Sequence, residues 1–153
     1  MTERNSKLEE RGYPIADAPV PGGLYRPAVV HNGTAYLSGA VPLREGEVVF
    51  RGKVPSGVGV EEAQRAAELC AANLLRVFIR EVGPLESIEQ VLKVTGFVNS
   101  DPDFTEPQVV INGASQLLID VLGDAGRHAR SAVGMATLPL GVCVEVEMIV
   151  AVK

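Results

Sequence analysis

Hydrophobic and polar positions follow a helical period in two stretches of the chain. In residues 60–82, apolar side chains recur every three or four positions with charged ones between them, which predicts an amphipathic helix. Gly83-Pro84 then supplies the glycine and proline that commonly end a helix. The same spacing predicts a second helix over residues 106–122, stopped by Gly123.

Strand patterns occupy most of the remaining chain. Asn32-Gly33, between the first two apolar runs, is the strongest short signal for a two-residue hairpin. We predict strands over residues 28–31, 34–39, 47–50, 87–99, 128–137 and 142–152. The resulting order, β-β-β-α-β-α-β-β, predicts an α+β fold in which a mixed sheet carries two helices on one face.

The two faces of the last predicted strand differ in polarity. One face is apolar and suits the helices: Val142, Val144, Val146 and Met148. The other mixes carboxylates with apolar groups: Cys143, Glu145, Glu147, Ile149 and Ala151. Because apolar groups on an open face favour association, we expect this face to contact another subunit.

The length of 153 residues is that of one ordinary domain, so we expect a single core over residues 1–153. Residues 1–23 open with a charged tip, frayed or helical, and their prolines predict an extended run over the surface. The glycine-rich segment 52–59 is interpreted as a loop. Its order of Gly and Lys is not that of a phosphate-binding GxxxxGKS or GxxxxGKT motif.

Composition and charge narrow the classes of partner. Fourteen Lys and Arg against nineteen Asp and Glu give a net charge of −5, which opposes binding to nucleic acid or to an anionic membrane. With three Tyr, four Phe and no Trp, few side chains are available to stack on RNA bases. No apolar run reaches the roughly 18 residues of a membrane span, and no secretory signal is present, so we expect a soluble, cytoplasmic protein.

Cysteine and histidine are too few and too scattered to predict a metal site. Cys70, Cys143, His31 and His128 lack the spacing of zinc ligands, and both cysteines lie among apolar residues, as buried thiols do. We therefore expect no metal site. His31 should be exposed beside the tight turn, and His128 is interpreted as structural because no acyl-transfer triad emerges.

Two charged residues inside predicted strands are the first candidates for chemistry. A guanidinium at Arg130 offers a rigid fork that matches a carboxylate, and Glu145 can accept a proton from a water molecule or orient it. The alternative is a structural ion pair that bridges strands or subunits. Glu147 is interpreted as a solvated or pairing charge.

Three further polar residues are candidates of lower specificity. Tyr25 and Ser38 place hydroxyls near the first hairpin, and Asn112 places an amide near the start of the second helix. Residues of these types also serve in turns, caps and packing, so their spacing alone leaves both interpretations open.

Several segments taken together resemble the Rid (YjgF) superfamily, whose members are also labelled L-PSP endoribonuclease-like. The resemblance covers nearly the whole chain in order. The segments that carry it are Tyr25-Arg26-Pro27-Ala28-Val29, Tyr36-Leu37-Ser38-Gly39, Val94-Thr95-Gly96-Phe97-Val98, Asn112, Ala129-Arg130-Ser131-Ala132-Val133, Leu138-Pro139 and Val144-Glu145-Val146-Glu147.

The resemblance implies a chorismate-mutase-like fold and a homotrimer with clefts between subunits. It implies hydrolysis of enamine and imine intermediates, such as 2-aminoacrylate, to 2-keto acids and ammonia, without a cofactor or metal. Arg130 would clamp the substrate carboxylate, and Glu145 would position the attacking water. The residues expected to line the cleft are Tyr25, Ser38, Gly39, Asn112, Arg130 and Ser131.

Two departures from the family pattern bear on the substrate. Ala132 stands where many deaminating members have cysteine, and Ala40 where they have glutamine. The longer N-terminus and the extra residues before Asn112 are similar to a long subgroup. A non-catalytic trimer that binds small carboxylates or 2-keto acids is therefore the alternative to a deaminase. An endoribonuclease is disfavoured by the negative charge and the few aromatic residues.

Overall fold

The computed structural model describes all 153 residues. Its three α-helices are α1 (Glu3–Glu10), α2 (Val60–Glu81) and α3 (Pro107–Leu122). Its strands are β1 (Ala28–His31), β2 (Thr34–Ala40), β3 (Leu43–Arg44), β4 (Glu47–Val48), β5 (Ile88–Asn99), β6 (Ala129–Met135) and β7 (Val144–Val152). Short 3-10 turns lie at Leu85–Ser87, Gly123–Gly126 and Pro139–Gly141.

Five strands form one mixed sheet in the order β1-β2-β7-β5-β6. Only β5 and β6 run parallel to each other, and the other neighbours are antiparallel. The buried side chains of α2 and α3 join those of the sheet in one apolar cluster, which leaves the second sheet face without a covering layer. The predicted α+β fold, with a mixed sheet and two main helices, is confirmed.

The third predicted strand, at residues 47–50, is wrong in extent and in position. Only Glu47–Val48 is a strand, and it pairs with Leu43–Arg44 in a two-stranded ribbon outside the main sheet. Glu45 and Gly46 both have positive φ, as a type I′ hairpin turn requires, so the chain reverses at once. Phe50 also has a positive φ, which prevents the strand from continuing.

The charged N-terminal tip is a docked helix rather than a frayed end. Thr2 Oγ1 accepts a hydrogen bond from Asn5 N at 3.3 Å, and Leu8 is fully buried. Residues 11–27 contain no helix or strand. Arginines of α2 hold them: Arg76 Nη1 donates to Pro14 O at 2.9 Å, and Arg80 Nη1 donates to Pro19 O at 2.6 Å.

The expected two-faced character of β7 is present from its first residue onward. Val144, Val146 and Met148 are buried in the core, and Glu147 is exposed on the open face. The predicted position of Cys143 on the open face is wrong. β7 begins at Val144, one residue after Cys143, and the Cys143 thiol lies in the core cluster. Burial raises the pKa of this thiol to about 12. No helix in the chain has both the length and the apolar character that crossing a membrane requires.

Gly113 allows α2 and α3 to pack closely. A Cβ added there would lie 2.8 Å from the backbone carbon of Gln64 and closer still to its oxygen. We expect Gly113→Ala to force the helices apart and to lower the free energy of unfolding by about 1–3 kcal/mol, as overpacking does. Urea unfolding measures this loss. Gly59→Ala is the control, since nothing lies within 4 Å of the added carbon, and an equal loss in both variants would contradict the helix-contact explanation.

Candidate functional site

A cavity of about 620 Å³ opens where β2, β7, the N-terminal segment and the turn after β6 meet. Its walls combine apolar residues of α2, β2 and the turn with the polar groups that the sequence singled out. Leu74, Val77, Ala40 and Leu140 supply apolar surface, and Tyr25, Ser38, Gly39, Glu145 and Glu147 supply the polar side. Four predicted site residues, Tyr25, Ser38, Gly39 and Glu145, therefore share one cavity.

The carboxyl group of Glu145 lies directly over the backbone of Gly39. A Cβ added to Gly39 would come within 3.0 Å of Glu145 Cδ and still closer to Oε2. Burial raises the pKa of Glu145, and the like charge of Glu147 raises it further. No cation and no hydrogen-bond donor of the chain contacts the carboxylate, so nothing within the chain offsets this shift.

A bulge in β2 brings Ser38 and Gly39 to the cavity. The pairing of β2 with β7 shifts register between Leu37 and Ala40, so the intervening residues leave the regular ladder. Ser38 Oγ donates to Arg26 O at 2.6 Å, which leaves its oxygen free to accept. The hydroxyl of Tyr25 accepts from Gly22 N at 3.3 Å and keeps its own proton available.

Arg130 lies on β6 and packs against α3. Three of its five guanidinium N–H groups donate hydrogen bonds within the chain. Nη1 donates to Asn112 Oδ1 at 2.9 Å and to Ser115 Oγ at 3.1 Å, and Nη2 donates to Gln108 O at 3.3 Å. The Nε–H and one Nη2–H make no hydrogen bond within the chain, and Nε is not sealed from water. These two donors form the side-by-side edge that binds a carboxylate with two parallel hydrogen bonds.

Arg130 and Glu145 lie on opposite faces of the sheet. Arg130 pairs with Val94, which is buried on the helix side, whereas Glu145 pairs with Phe97 on the open face. No ion pair joins the two residues, so the alternative of a salt bridge between strands is wrong within one chain. Within one chain, Asn112 contacts Arg130, but neither residue lines the cavity that contains Glu145.

The remaining candidates occupy different surroundings. Ser131 is exposed on the open face in register with Thr95. His31 is exposed beside Asn32, as predicted. His128 contacts Ser115, a residue that sequence reasoning missed. Ser115 lies three residues after Asn112, so both side chains lie on the same side of α3, and this spacing was the available signal in the sequence. The spacing indicates a contact with Arg130 only when the strand that packs beside α3 is known.

The other polar groups of the chain do not form a metal site, and the lysine of the glycine-rich loop is already hydrogen-bonded. Nowhere in the chain do three His, Cys, Asp or Glu side chains converge as a metal site requires. Lys53, in the glycine-rich loop, donates from Nζ to Asn99 Oδ1 at 2.9 Å and so serves to hold that loop in place.

Comparison with known proteins identifies relatives over almost the full length. The family model described as "YjgF/chorismate mutase-like, putative endoribonuclease" matches residues 5–151. Protein TCP17 of Trypanosoma cruzi is 36% identical over 146 residues, which cover 95% of this chain and 91% of that protein.

Solved structures of similar proteins also match this chain over almost its full length. The crystal structure of the Agrobacterium tumefaciens protein Atu1372, of unknown function, has a TM-score of 0.91 at 43% identity and covers 98% of this chain and 92% of its own. Escherichia coli TdcF with bound serine has a TM-score of 0.63 at 27% identity, with 90% and 94% covered. The extent of these matches shows that the chain belongs to the YjgF/chorismate mutase-like (Rid, L-PSP) family.

Proposed function

We propose that this protein hydrolyses small 2-imino acids, and the 2-amino enoates that tautomerise to them, to 2-keto acids and ammonia. One observation carries the proposal: two partly buried charged groups on strands, Arg130 and Glu145, have no ion partner in the chain. Unpaired, half-buried charges in strands are unfavourable unless a ligand or a second subunit completes them.

Arg130 is the group we assign to the substrate carboxylate. Its Nε and Nη2 donors form a preset edge because Asn112 Oδ1 and Ser115 Oγ hold Nη1. A carboxylate bound there in bidentate fashion places the neighbouring C=N carbon at a fixed distance and direction from the guanidinium.

Glu145 is the group we assign to proton transfer. Its carboxylate takes a proton from water as the water oxygen bonds to the carbon of the protonated imine, which gives a neutral carbinolamine. The protonated Glu145 gives that proton to the amino group, the C–N bond breaks and ammonia leaves. The hydroxyl proton passes through the Glu145 carboxylate to the departing ammonia as the C=O bond forms, so the products are the 2-keto acid and ammonium. A raised pKa suits this work, because a base titrating nearer neutral pH both accepts and returns a proton readily.

A cleft between subunits would join the two halves of this site. Proteins of this family are typically trimeric, and we infer that Arg130 of one subunit faces the Glu145 cavity of the next. The position of Arg130 on β6, an edge strand of the sheet, supports this arrangement. So do exposed apolar side chains on the open face: Val29, Tyr36, Val133 and Met135.

The serine found in TdcF supports a small amino or keto acid as the ligand class. A dehydratase that releases 2-aminoacrylate, coupled to pyruvate detection, tests the reaction with and without this protein. We expect pyruvate to form faster than by uncatalysed hydrolysis. No acceleration by the folded trimer, with pyruvate still bound in calorimetry, would overturn the deaminase and favour a carboxylate-binding regulator.

Gly39→Ala should impair turnover without loosening the fold. The added methyl group occupies the place of the Glu145 carboxyl, which must swing away from the cavity. We expect turnover to fall about tenfold or more, since small misplacements of a catalytic group have large effects on rate. The coupled assay measures it beside Gly83→Ala, where the added carbon meets Ser87 Oγ at an ordinary 3.6 Å. Unchanged turnover in Gly39→Ala would contradict the role given to Glu145.

A further inference from the structure

A chain of hydrogen bonds runs behind Arg130, from the turn before β6 to the guanidinium. His128 Nδ1 lies 2.6 Å from Gly126 O, His128 Nε2 lies 2.8 Å from Ser115 Oγ, and Ser115 Oγ lies 3.1 Å from Arg130 Nη1. Three elements, α3, β6 and the 3-10 turn Gly123–Gly126, contribute to it.

The direction of each bond follows from the groups involved. Gly126 O can only accept, so His128 Nδ1 carries a proton and Nε2 of the neutral ring accepts. Ser115 must then donate its hydroxyl proton to Nε2, which turns its oxygen lone pairs toward Arg130 Nη1. Burial lowers the pKa of His128, the bond to Gly126 O raises it by less, and the charge of Arg130 lowers it further, so the net shift favours the neutral ring.

The consequence for Arg130 is a guanidinium held by three acceptors on α3. Both Nη1 hydrogens are used, one by Ser115 Oγ and one by Asn112 Oδ1. A free arginine side chain samples many rotamers, and ordering it opposes binding. The two acceptors on Nη1, together with Gln108 O on Nη2, define the plane and the rotation of the group, so Nε–H and the second Nη2–H are oriented and unbonded before any ligand arrives.

We propose that Ser115 and His128 are positioning residues for Arg130, which hold its Nε–Nη2 edge in the orientation that receives a carboxylate. This inference rests on the proposed function, because it assigns the carboxylate to Arg130. It adds two residues to the site. Ser115 acts directly on the guanidinium, and His128 acts by orienting the Ser115 hydroxyl.

Calorimetric titration with pyruvate at neutral pH tests the proposal on four variants. Ser115→Ala removes the acceptor, Ser115→Thr keeps a hydroxyl, and His128→Phe keeps a ring without either nitrogen. Gln116→Ala is the matched control on α3, because Gln116 is exposed and bonds Asp120 rather than Arg130. Circular dichroism and size-exclusion chromatography check that each variant keeps the fold and the assembly of the parent.

We expect Ser115→Ala to weaken pyruvate binding roughly five- to tenfold, and His128→Phe by a smaller factor, as for one lost hydrogen bond to a charged group. Ser115→Thr should restore most of the affinity, and Gln116→Ala should match the parent. Methyl pyruvate, which has no carboxylate, should bind weakly and equally to all of them. Parent-like affinity for pyruvate in Ser115→Ala, or no rescue by threonine, would overturn the proposal.

A second measurement does not depend on ligand binding. The nuclear magnetic resonance titration of His128 should shift to higher pKa in Arg130→Gln, since the nearby positive charge is gone. An unchanged titration would overturn the coupling between these residues. A parent protein that binds no pyruvate would instead contradict the proposed function, and the His128 titration would still decide whether the chain of bonds exists.

Discussion

Replacing Arg130 with alanine is expected to abolish 2-keto-acid binding and imine hydrolysis. The substitution removes the charge and both outward donors at once, and loss of a charged partner of this kind weakens binding by a factor on the order of a hundred or more. Arg130→Lys keeps the charge but not the fork, so we expect it to recover only part of the affinity. Pyruvate calorimetry and the dehydratase-coupled assay measure both effects.

Arg127→Ala is the matched control for this experiment. Arg127 lies three residues earlier, is well exposed, and pairs with Asp124 in the same turn. Arg127→Ala changes the net charge by the same amount as Arg130→Ala, in the same segment of the chain, and it leaves the hydrogen bonds of Arg130 in place. Parent-like pyruvate binding by Arg130→Ala, or an equal loss in Arg127→Ala, would contradict the assignment of the carboxylate to Arg130.

The unfolding free energy separates a binding effect from a folding effect. Arg130 bonds to groups at the solvent-facing side of α3, and Asn112 is itself exposed, so the acceptors left behind can bond to water. We expect Arg130→Ala to stay within about 1 kcal/mol of the parent, as surface substitutions do.

Periodicity predicted most of the fold because burial imposes it on the sequence. The residues of α2 that face the sheet repeat at helical spacing, and β7 alternates at every second residue. The ribbon of β3 and β4 was missed in part because two-residue strands are too short to show a period. Cys143 was misplaced because alternation was extended across the residue where β7 begins.

The site was predicted less completely because it depends on register. The family resemblance grouped Tyr25, Ser38, Gly39 and Glu145, and the structure places all four in the wall of one cavity, with Ser38 and Gly39 on β2 and Glu145 on the neighbouring β7. The face on which Arg130 lies follows from its parallel pairing with Val94, and no local pattern specifies a pairing between distant strands. Ser115 contacts His128 and Arg130 only through the packing of α3 on β6, which no local sequence pattern specifies.

Replacing Glu145 with glutamine is expected to separate catalysis from binding. Glutamine keeps the shape of the side chain but cannot take a proton from water, so turnover should fall by a factor of about 10² to 10⁴. Pyruvate affinity should stay within a few-fold, because Arg130 is unchanged. Glu89→Gln is the control: it removes an exposed carboxylate from β5, outside the cavity. Equal losses of turnover in both variants would contradict the role of Glu145 as the base.

The pH dependence of stability tests the surroundings of Glu145 without any substrate. Because burial raises the folded-state pKa of Glu145 above its ordinary value, the folded protein holds this proton more tightly than the unfolded chain does. The stabilisation linked to the proton is fully present below the unfolded pKa and is lost as pH rises through the raised folded pKa. Glutamine mimics the protonated form, so Glu145→Gln should be more stable than the parent near pH 8 and no more stable near pH 3. Urea unfolding at both pH values measures the difference. A Glu145→Gln variant less stable than the parent near pH 8 would mean that a favourable partner in the assembled protein neutralises the Glu145 carboxylate.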